Sequence, residues 1–256
     1  MIYITGDTHS EFSRLNSGNF PEQKEMTKED HVIICGDFGG IWRQDPENKE
    51  ENYWLNWLED KPFTTLFLDG NHENFQRLSQ FPVTEWKGGK VQKIRNSVIH
   101  LMRGQVYEIE GARIFTFGGA ASHDISDGIL DPEDPSFESE KRRMNRKKME
   151  YRIRGVNWWE EELPSEEEMA EGKRNLEKAG WDVDFILTHC APTSIQKKLL
   201  RQDLYPDRLT DYLDEIRVKT EYAFWFCGHY HQNLNFSARE KIIYEQIIPI
   251  WNAQRP

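Results

Sequence analysis

The sequence predicts an α/β sandwich with parallel strand pairs. Short apolar, β-branched or aromatic runs recur along the chain, and each ends in a polar, glycine-bearing turn. Helical patterns lie between several of these runs, an alternation that suits parallel pairing. Several runs are continuously apolar, as strands covered on both faces of a sheet are.

In chain order, strands are expected over 1–5, 31–35, 64–68, 98–102, 113–117, 183–188, 223–227 and 242–250. The runs 106–109 and 112–117 flank Glu110-Gly111 and read as a hairpin. A helix over 51–60 carries Tyr53, Trp54, Trp57 and Leu58 at helical-face spacing. After Pro164, Ser165 and Glu168 form a capping box that opens a second helix, which Gly180 ends. A third spans 207–219, with Leu209, Tyr212, Leu213 and Ile216 on one face. The stretch from about 122 to 165 is rich in Asp, Glu, Pro, Lys and Arg and ends at Trp158-Trp159. It reads as a charged, cap-like insertion within a single domain covering 1–256.

Composition narrows the function. The chain has 256 residues and a formal net charge of −11, which argues against bulk nucleic-acid binding but leaves room for a local positive site. Nine Trp, nine Tyr and fourteen Phe supply the aromatic mass of a folded core. No run of about 18 apolar residues exists, so no membrane partner is expected. Residues 1–4 lack a basic segment followed by a long apolar one, so no signal peptide is expected. Cys35, Cys190 and Cys227 are too scattered for a disulfide framework and fit a reducing cytoplasm.

Five strand ends carry metal-type ligands: Gly6-Asp7-Thr8-His9, Gly36-Asp37, Gly70-Asn71-His72-Glu73, Thr188-His189 and Gly228-His229-Tyr230-His231. In open α/β sheets the carboxyl ends of strands line the crevice where ligands bind, so these residues should converge. Asp37 lies 30 residues after Asp7 and Asn71 lies 34 after Asp37. Each gap fits one strand–helix–strand crossover of roughly 30 residues or more. Mixed Asp, Asn and His donors suit Mn²⁺, Zn²⁺ or Fe²⁺ better than Ca²⁺. Seven donors exceed the roughly four that one tetrahedral ion takes, and suffice for two ions that share a carboxylate.

In this order the five blocks resemble the calcineurin-like metallophosphoesterase superfamily, across residues 7–231. The resemblance implies an α/β sandwich of central mixed β-sheets flanked by helices, and a phosphate-ester substrate. It implies two divalent ions, with Mn²⁺ preferred to Fe or Zn²⁺. Asp7, His9 and His231 would hold one ion, Asn71, His189 and His229 the other, and Asp37 would bridge them. A hydroxide between the ions would attack phosphorus. Asn71 would help to stabilise charge, and His72 would stabilise the transition state or protonate the leaving oxygen, which needs a pKa near working pH. Where Ser/Thr protein phosphatases have an Asp-Arg pair, this chain has Gly39-Gly40-Ile41, so their specificity is not carried over. Arg43 is the nearest substitute for that arginine, and His123, after the loop Gly118-Gly119-Ala120-Ala121-Ser122, is a second candidate substrate contact. That loop, the downstream arginines and Trp158-Trp159 look like features of bacterial and phage members.

The basic stretch from Arg142 to Arg154 reads as a solvated face balanced by Glu138, Glu140 and Glu150, with one arginine or more turned to the site. His31 and His100 read as structural or surface residues, and the three cysteines as small core residues. Phosphomonoester hydrolysis is the favoured reading. A phosphodiesterase or nuclease of the same superfamily is the first alternative, and a non-catalytic protein-binding scaffold the second.

Overall fold

The computed structural model describes residues 1–199 and 205–252. Along the chain run β1 (Ile2–Thr5), β2 (His31–Ile34), α1 (Lys49–Glu59), β3 (Thr64–Phe67), α2 (Phe75–Leu78), β4 (Val83–Trp86), β5 (Gly89–Arg95) and β6 (Val98–Leu101). Next come β7 (Gln105–Ile109), β8 (Ala112–Phe117), β9 (Ile129–Leu130), α3 (Phe137–Lys147), β10 (Arg152–Ile153), α4 (Glu166–Lys178) and β11 (Asp182–Thr188). The chain continues through α5 (Thr193–Leu199), α6 (Arg208–Lys219), β12 (Glu221–Cys227), β13 (Leu234–Asn235), β14 (Glu240–Ile242) and β15 (Ile248–Pro249).

The strands build two mixed sheets. One has the order β15-β1-β2-β3-β6-β5-β4, and its four central strands β1, β2, β3 and β6 are parallel. The other has the order β13-β14-β12-β11-β8-β7, with β8, β11, β12 and β14 parallel. Successive side chains of a strand face opposite sides, so each sheet contributes to two cores. Ile2, Ile4, Ile33 and Leu66 of the first sheet meet Ile114, Phe185, Leu187 and Phe226 of the second in a shared central core. Their neighbours Tyr3, Val32, Ile34 and Phe67 face outward onto Leu55 and Leu58 of α1. Phe115, Phe117, Ile186 and Trp225 face outward onto Leu176 of α4 and onto Leu209, Leu213 and Ile216 of α6. The result is the expected sandwich of mixed sheets flanked by helices.

Local chemistry sets the helix starts. Asn48 caps α1, Ser165 and Glu168 form the capping box of α4, and Asp207 caps α6 through Leu209 and Thr210. Three details differ from the sequence reading. The connection from β1 to β2 holds two short 3₁₀ turns, Ser13–Leu15 and Pro21–Glu25, in place of an α-helix. The expected strand over 242–250 divides: β14 belongs to the second sheet, and the chain then crosses to pair β15 antiparallel with β1. The edge hairpin β4–β5, turned by Lys87 and Gly88 at positive φ, escaped the reading because β4 is short, largely exposed and only half apolar.

No helix among the described residues is long and apolar enough to cross a membrane. The insertion carries β9, α3 and β10, and β9 pairs β10 in a small parallel ribbon. It docks on the body through Trp42 against Trp159 (ring centroids 5.6 Å apart) and through Gln44 donating to the Gly155 carbonyl at 2.7 Å.

A buried polar network ties the end of β3 to the loop after β6. Asp69 accepts from Arg103 Nε at 2.8 Å and Nη2 at 2.5 Å, and faces His100 Nε2 at 3.1 Å. Burial alone would raise the Asp69 carboxyl, but the Arg103 charge outweighs this and holds it well below the ordinary value. Asp69→Ala would leave a buried guanidinium without its carboxylate. Unfolding in urea should show a loss of about 3–5 kcal/mol. The contribution should be present above about pH 4 and fade as the pH falls, because the folded-state pKa is the lower one. A loss below about 1 kcal/mol would show that the network is not structural.

Candidate metal centre

Strands β1, β2 and β3 are parallel in one sheet, and β11 and β12 are parallel in the other. Their carboxyl ends meet at one edge of the sandwich, and the ligand-bearing turns follow each of them. Three groups of potential donors arise there: Asp7 with His9 and His231, His9 with Asp37 and His72, and Asp37 with His189 and His229.

Asp7 and Asp37 are buried. Asp7 Oδ1 accepts the backbone N–H of His229 at 2.8 Å, and Asp37 Oδ1 that of His72 at 2.8 Å. Asp7 Oδ2 faces His231 Nε2 at 3.2 Å and His9 Nε2 at 3.9 Å, and the two Nε2 atoms lie 3.0 Å apart. Asp37 Oδ2 faces His9 Nε2 at 3.6 Å, and its Oδ1 lies 3.3 Å from His189 Nε2. Asp37 therefore stands between the two groups.

The tautomers and amide orientations leave the correct atoms for metal. His189 Nδ1–H donates to the Cys35 carbonyl at 2.9 Å, which turns Nε2 inward beside Asp37 Oδ1 at 3.3 Å. Asn71 Nδ2 donates to Ser122 Oγ at 3.4 Å, and Ser122 Oγ–H donates to Glu162 Oε2 at 2.6 Å. Asn71 Oδ1 is thereby directed to the site. Asn71 Oδ1 is buried without a hydrogen-bond partner, and the buried Asp7 Oδ2 and His189 Nε2 have only other members of the donor set, His231 and Asp37, beside them. Buried polar atoms are rarely left so, and a cation would satisfy donors of this kind. The donors therefore fit divalent ions, with Asp7, His9 and His231 gathered in one group and Asp37, His189 and His229 in another.

Close approach shapes the turns. A Cβ on Gly70 would collide with Asp37, and one on Gly36, at φ +88°, would collide with His189. His9, Ser10, Asp37, His229 and His231 all adopt positive φ, which costs a non-glycine residue about 1–3 kcal/mol. Arg14 fastens the first turn by donating to the Asp7 carbonyl at 2.8 Å and the Tyr244 carbonyl at 2.6 Å. Glu73 fastens the second, accepting from the backbone N–H of Phe38 at 2.7 Å and Gly39 at 3.4 Å. Tyr244 stacks on His231.

The charges respond to one another. Burial would raise the Asp37 carboxyl, but His189, His72 and His9 more than offset this and hold it well below its ordinary value. Burial would lower His189, but Asp37 and Asp7 push it up to about 9. His229 has no such surplus of carboxylate, and burial beside His189 and His123 holds it well below its ordinary value.

His72 departs from the sequence expectation of a pKa near working pH. Burial, aided by the Arg152 charge, pushes it down to about 4, although Asp37 opposes this. Arg152 Nη2 donates to His72 Nε2 at 3.1 Å, and a guanidinium only donates, so the neutral ring carries its proton on Nδ1. Arg43 is not brought to the site: Glu50 at the start of α1 holds its guanidinium at 3.2 Å on the exposed surface. His123 does reach the centre, with Nε2 at 2.7 Å from His229 Nε2. Ser122, Glu162, Arg14 and Glu73 are the residues that sequence reasoning missed, and Arg152 is an arginine of the basic stretch that reaches His72. The motif Gly-Asn-His-Glu contains Glu73, and the basic stretch contains Arg152, but no spacing marks Ser122 or Glu162.

A family model described as calcineurin-like phosphoesterase matches residues 1–233, which include every donor named above. Two curated relatives are similar over 90% of this chain: a lariat debranching enzyme of Danio rerio, 24% identical over 260 residues, and lariat debranching enzyme A of Xenopus laevis, 23% identical over 256 residues. The chain spans about two fifths of the length of these relatives, 40% and 42% respectively.

Two outcomes are expected. His189 keeps a proton up to about pH 9 in the metal-free protein, so loading with Mn²⁺ near neutral pH should expel it. Calorimetric titration in buffers of different ionisation enthalpy should reveal the released proton, and heats independent of buffer would contradict it. Ser122→Ala should weaken binding of one ion by about 10- to 100-fold in chelator competition, because the Asn71 amide loses its anchor. Unchanged affinity for both ions would remove Ser122 from this role.

Proposed function

The chain belongs to the calcineurin-like phosphoesterase family, a hydrolase acting on phosphate esters, and on that premise we propose a two-metal phosphomonoesterase acting on small substrates. The observation that carries the two-metal reading is the gathering of Asp7 with His9 and His231 and of Asp37 with His189 and His229, the ligand atoms of each group lying within 4.8 Å of one another. Mn²⁺ is the preferred metal, with Fe or Zn²⁺ as alternatives, given mixed carboxylate, amide and imidazole donors. Divalent ions held there supply Lewis acidity toward phosphoryl oxygens and make hydroxide available at neutral pH.

The chain's own residues do the rest. Asp37, shared between the two donor groups, keeps them in one register. Asn71 presents its oxygen inward because Ser122 and Glu162 hold its nitrogen. His72, neutral and carrying its proton on Nδ1, acts as a hydrogen-bond donor to charge developing in the transition state, not as an imidazolium acid. The contacts of the 122–165 segment with Trp42 and His72 support a preference for small monoesters, since they place bulk beside the centre. The free, buried cysteines fit the cytoplasm.

A second reading is a phosphodiesterase. The names of the two relatives favour it, as does a cavity of about 530 Å³ beside His123 and His229 that would accommodate a second esterified group.

Metal analysis of the purified protein, with side-by-side rates on a phosphomonoester and a diester of the same alcohol, tests both readings. The expected outcome is about two ions per chain, faster monoester turnover, and loss of most turnover and metal in Asp37→Asn. Faster diester turnover would overturn the monoester preference. A protein that holds no metal and stays inactive with added Mn²⁺ would overturn the two-metal reading.

A further inference from the structure

Arg152 opens β10, inside the insertion, and its side chain is only 5% exposed. Nε pairs with Asp124 Oδ1 at 2.6 Å, Nη1 donates to the Asn157 carbonyl at 3.2 Å, and Nη2 donates to His72 Nε2 at 3.1 Å. A guanidinium has five N–H donors. Two of them, one on each Nη, meet no acceptor among the described residues. Spare donors on a buried cation are costly unless an anion takes them. The ion-paired carboxylate, Asp124, is itself 57% exposed, and the buried Glu162 carboxylate also feels the Arg152 charge.

Two other arginines near the first and second turns are already engaged. Arg14 directs its donors at Thr5 Oγ1 and at the carbonyls of Gly6, Asp7 and Tyr244. Arg43 is held by Glu50. Gly39 and Gly40, in the loop after Asp37, have no side chains to offer.

We propose that Arg152 is a catalytic residue that binds the phosphoryl group of the substrate, its two spare N–H groups gripping oxygens beside His72. A planar fork of donors on a full positive charge matches phosphate oxygens and is the chemistry that recognises them. His72 Nε2, as acceptor, keeps the fork in place. The proposal rests on the phosphoester reading above, and inorganic phosphate is the probe that separates the two.

The experiment measures the affinity of the Mn²⁺-loaded protein for inorganic phosphate in the wild type, Arg152→Gln, Arg152→Lys and Arg154→Gln. Arg154 lies two residues along, half exposed, and faces Asp131 at 3.6 Å. Arg152→Gln should weaken phosphate binding by about 10- to 100-fold, with metal content retained. Arg152→Lys keeps the charge without the fork and should recover only part of the loss. Arg154→Gln should stay within about twofold of wild type. With an ester, kcat/KM should fall in Arg152→Gln by a factor similar to the loss in phosphate affinity. Phosphate affinity within about twofold of wild type in Arg152→Gln would overturn the proposal, as would an equal loss in Arg154→Gln. If Arg152→Gln does not fold, Arg152→Lys decides, and equality with wild type overturns it. A wild type that hydrolyses no ester yet binds phosphate through Arg152 would refute the phosphoester reading and leave this assignment standing.

Discussion

Two carboxylates in a dry place govern this molecule. Asp7 and Asp37 are 0% and 2% exposed, and two like charges so buried are costly unless donors and cations surround them. The donors come from distant loops. Asp7 follows β1 in the first sheet and takes the N–H of His229, which follows β12 in the second, so its charge pins one sheet to the other. Asp37 pins the β2 turn to the β3 turn through the N–H of His72. The strained backbone at His9, Asp37, His229 and His231 follows from the same demand, since each turn must aim an imidazole or a carboxylate at one small volume.

The charged insertion belongs to this arrangement. Its beginning and end meet at Ser122 and Glu162, which together orient Asn71. Its second strand supplies Arg152, which fixes the tautomer of His72. Its far end is gripped by Arg103, which donates to the Glu161 carbonyl at 2.8 Å while also binding Asp69. One buried network thus joins the strand that carries Asn71 and His72 to the segment that positions them.

The donors were legible in the sequence because each sits in a short motif immediately after an apolar run, where local pattern and position in the fold coincide. The central strands and the helices with good caps were legible for the same reason. What escaped was non-local or masked by charge. Arg152 lies 80 residues from His72, and Ser122 lies 51 from Asn71. Within a run of Lys, Arg and Glu, nothing distinguishes the one buried guanidinium from its solvated neighbours. Arg43 misled for the opposite reason: it is close in sequence to Asp37, but Glu50 determines its direction. The segment 242–250 is apolar apart from Glu245 and Gln246, yet it serves two sheets in turn, which composition does not reveal.

The pairing of Asp7 with the His229 amide has a consequence for how the protein is made. The two residues are 222 apart, and β15 closes on β1 across a still longer separation. On a ribosome the first aspartate emerges well before its partners, since chains lengthen by about 5–20 residues per second. Closing so long a loop costs entropy that only the completed sandwich offsets. A nascent chain therefore carries some of its donors but no preorganised cage. The donor groups of the two sheets come together only once Asp7 meets the His229 amide.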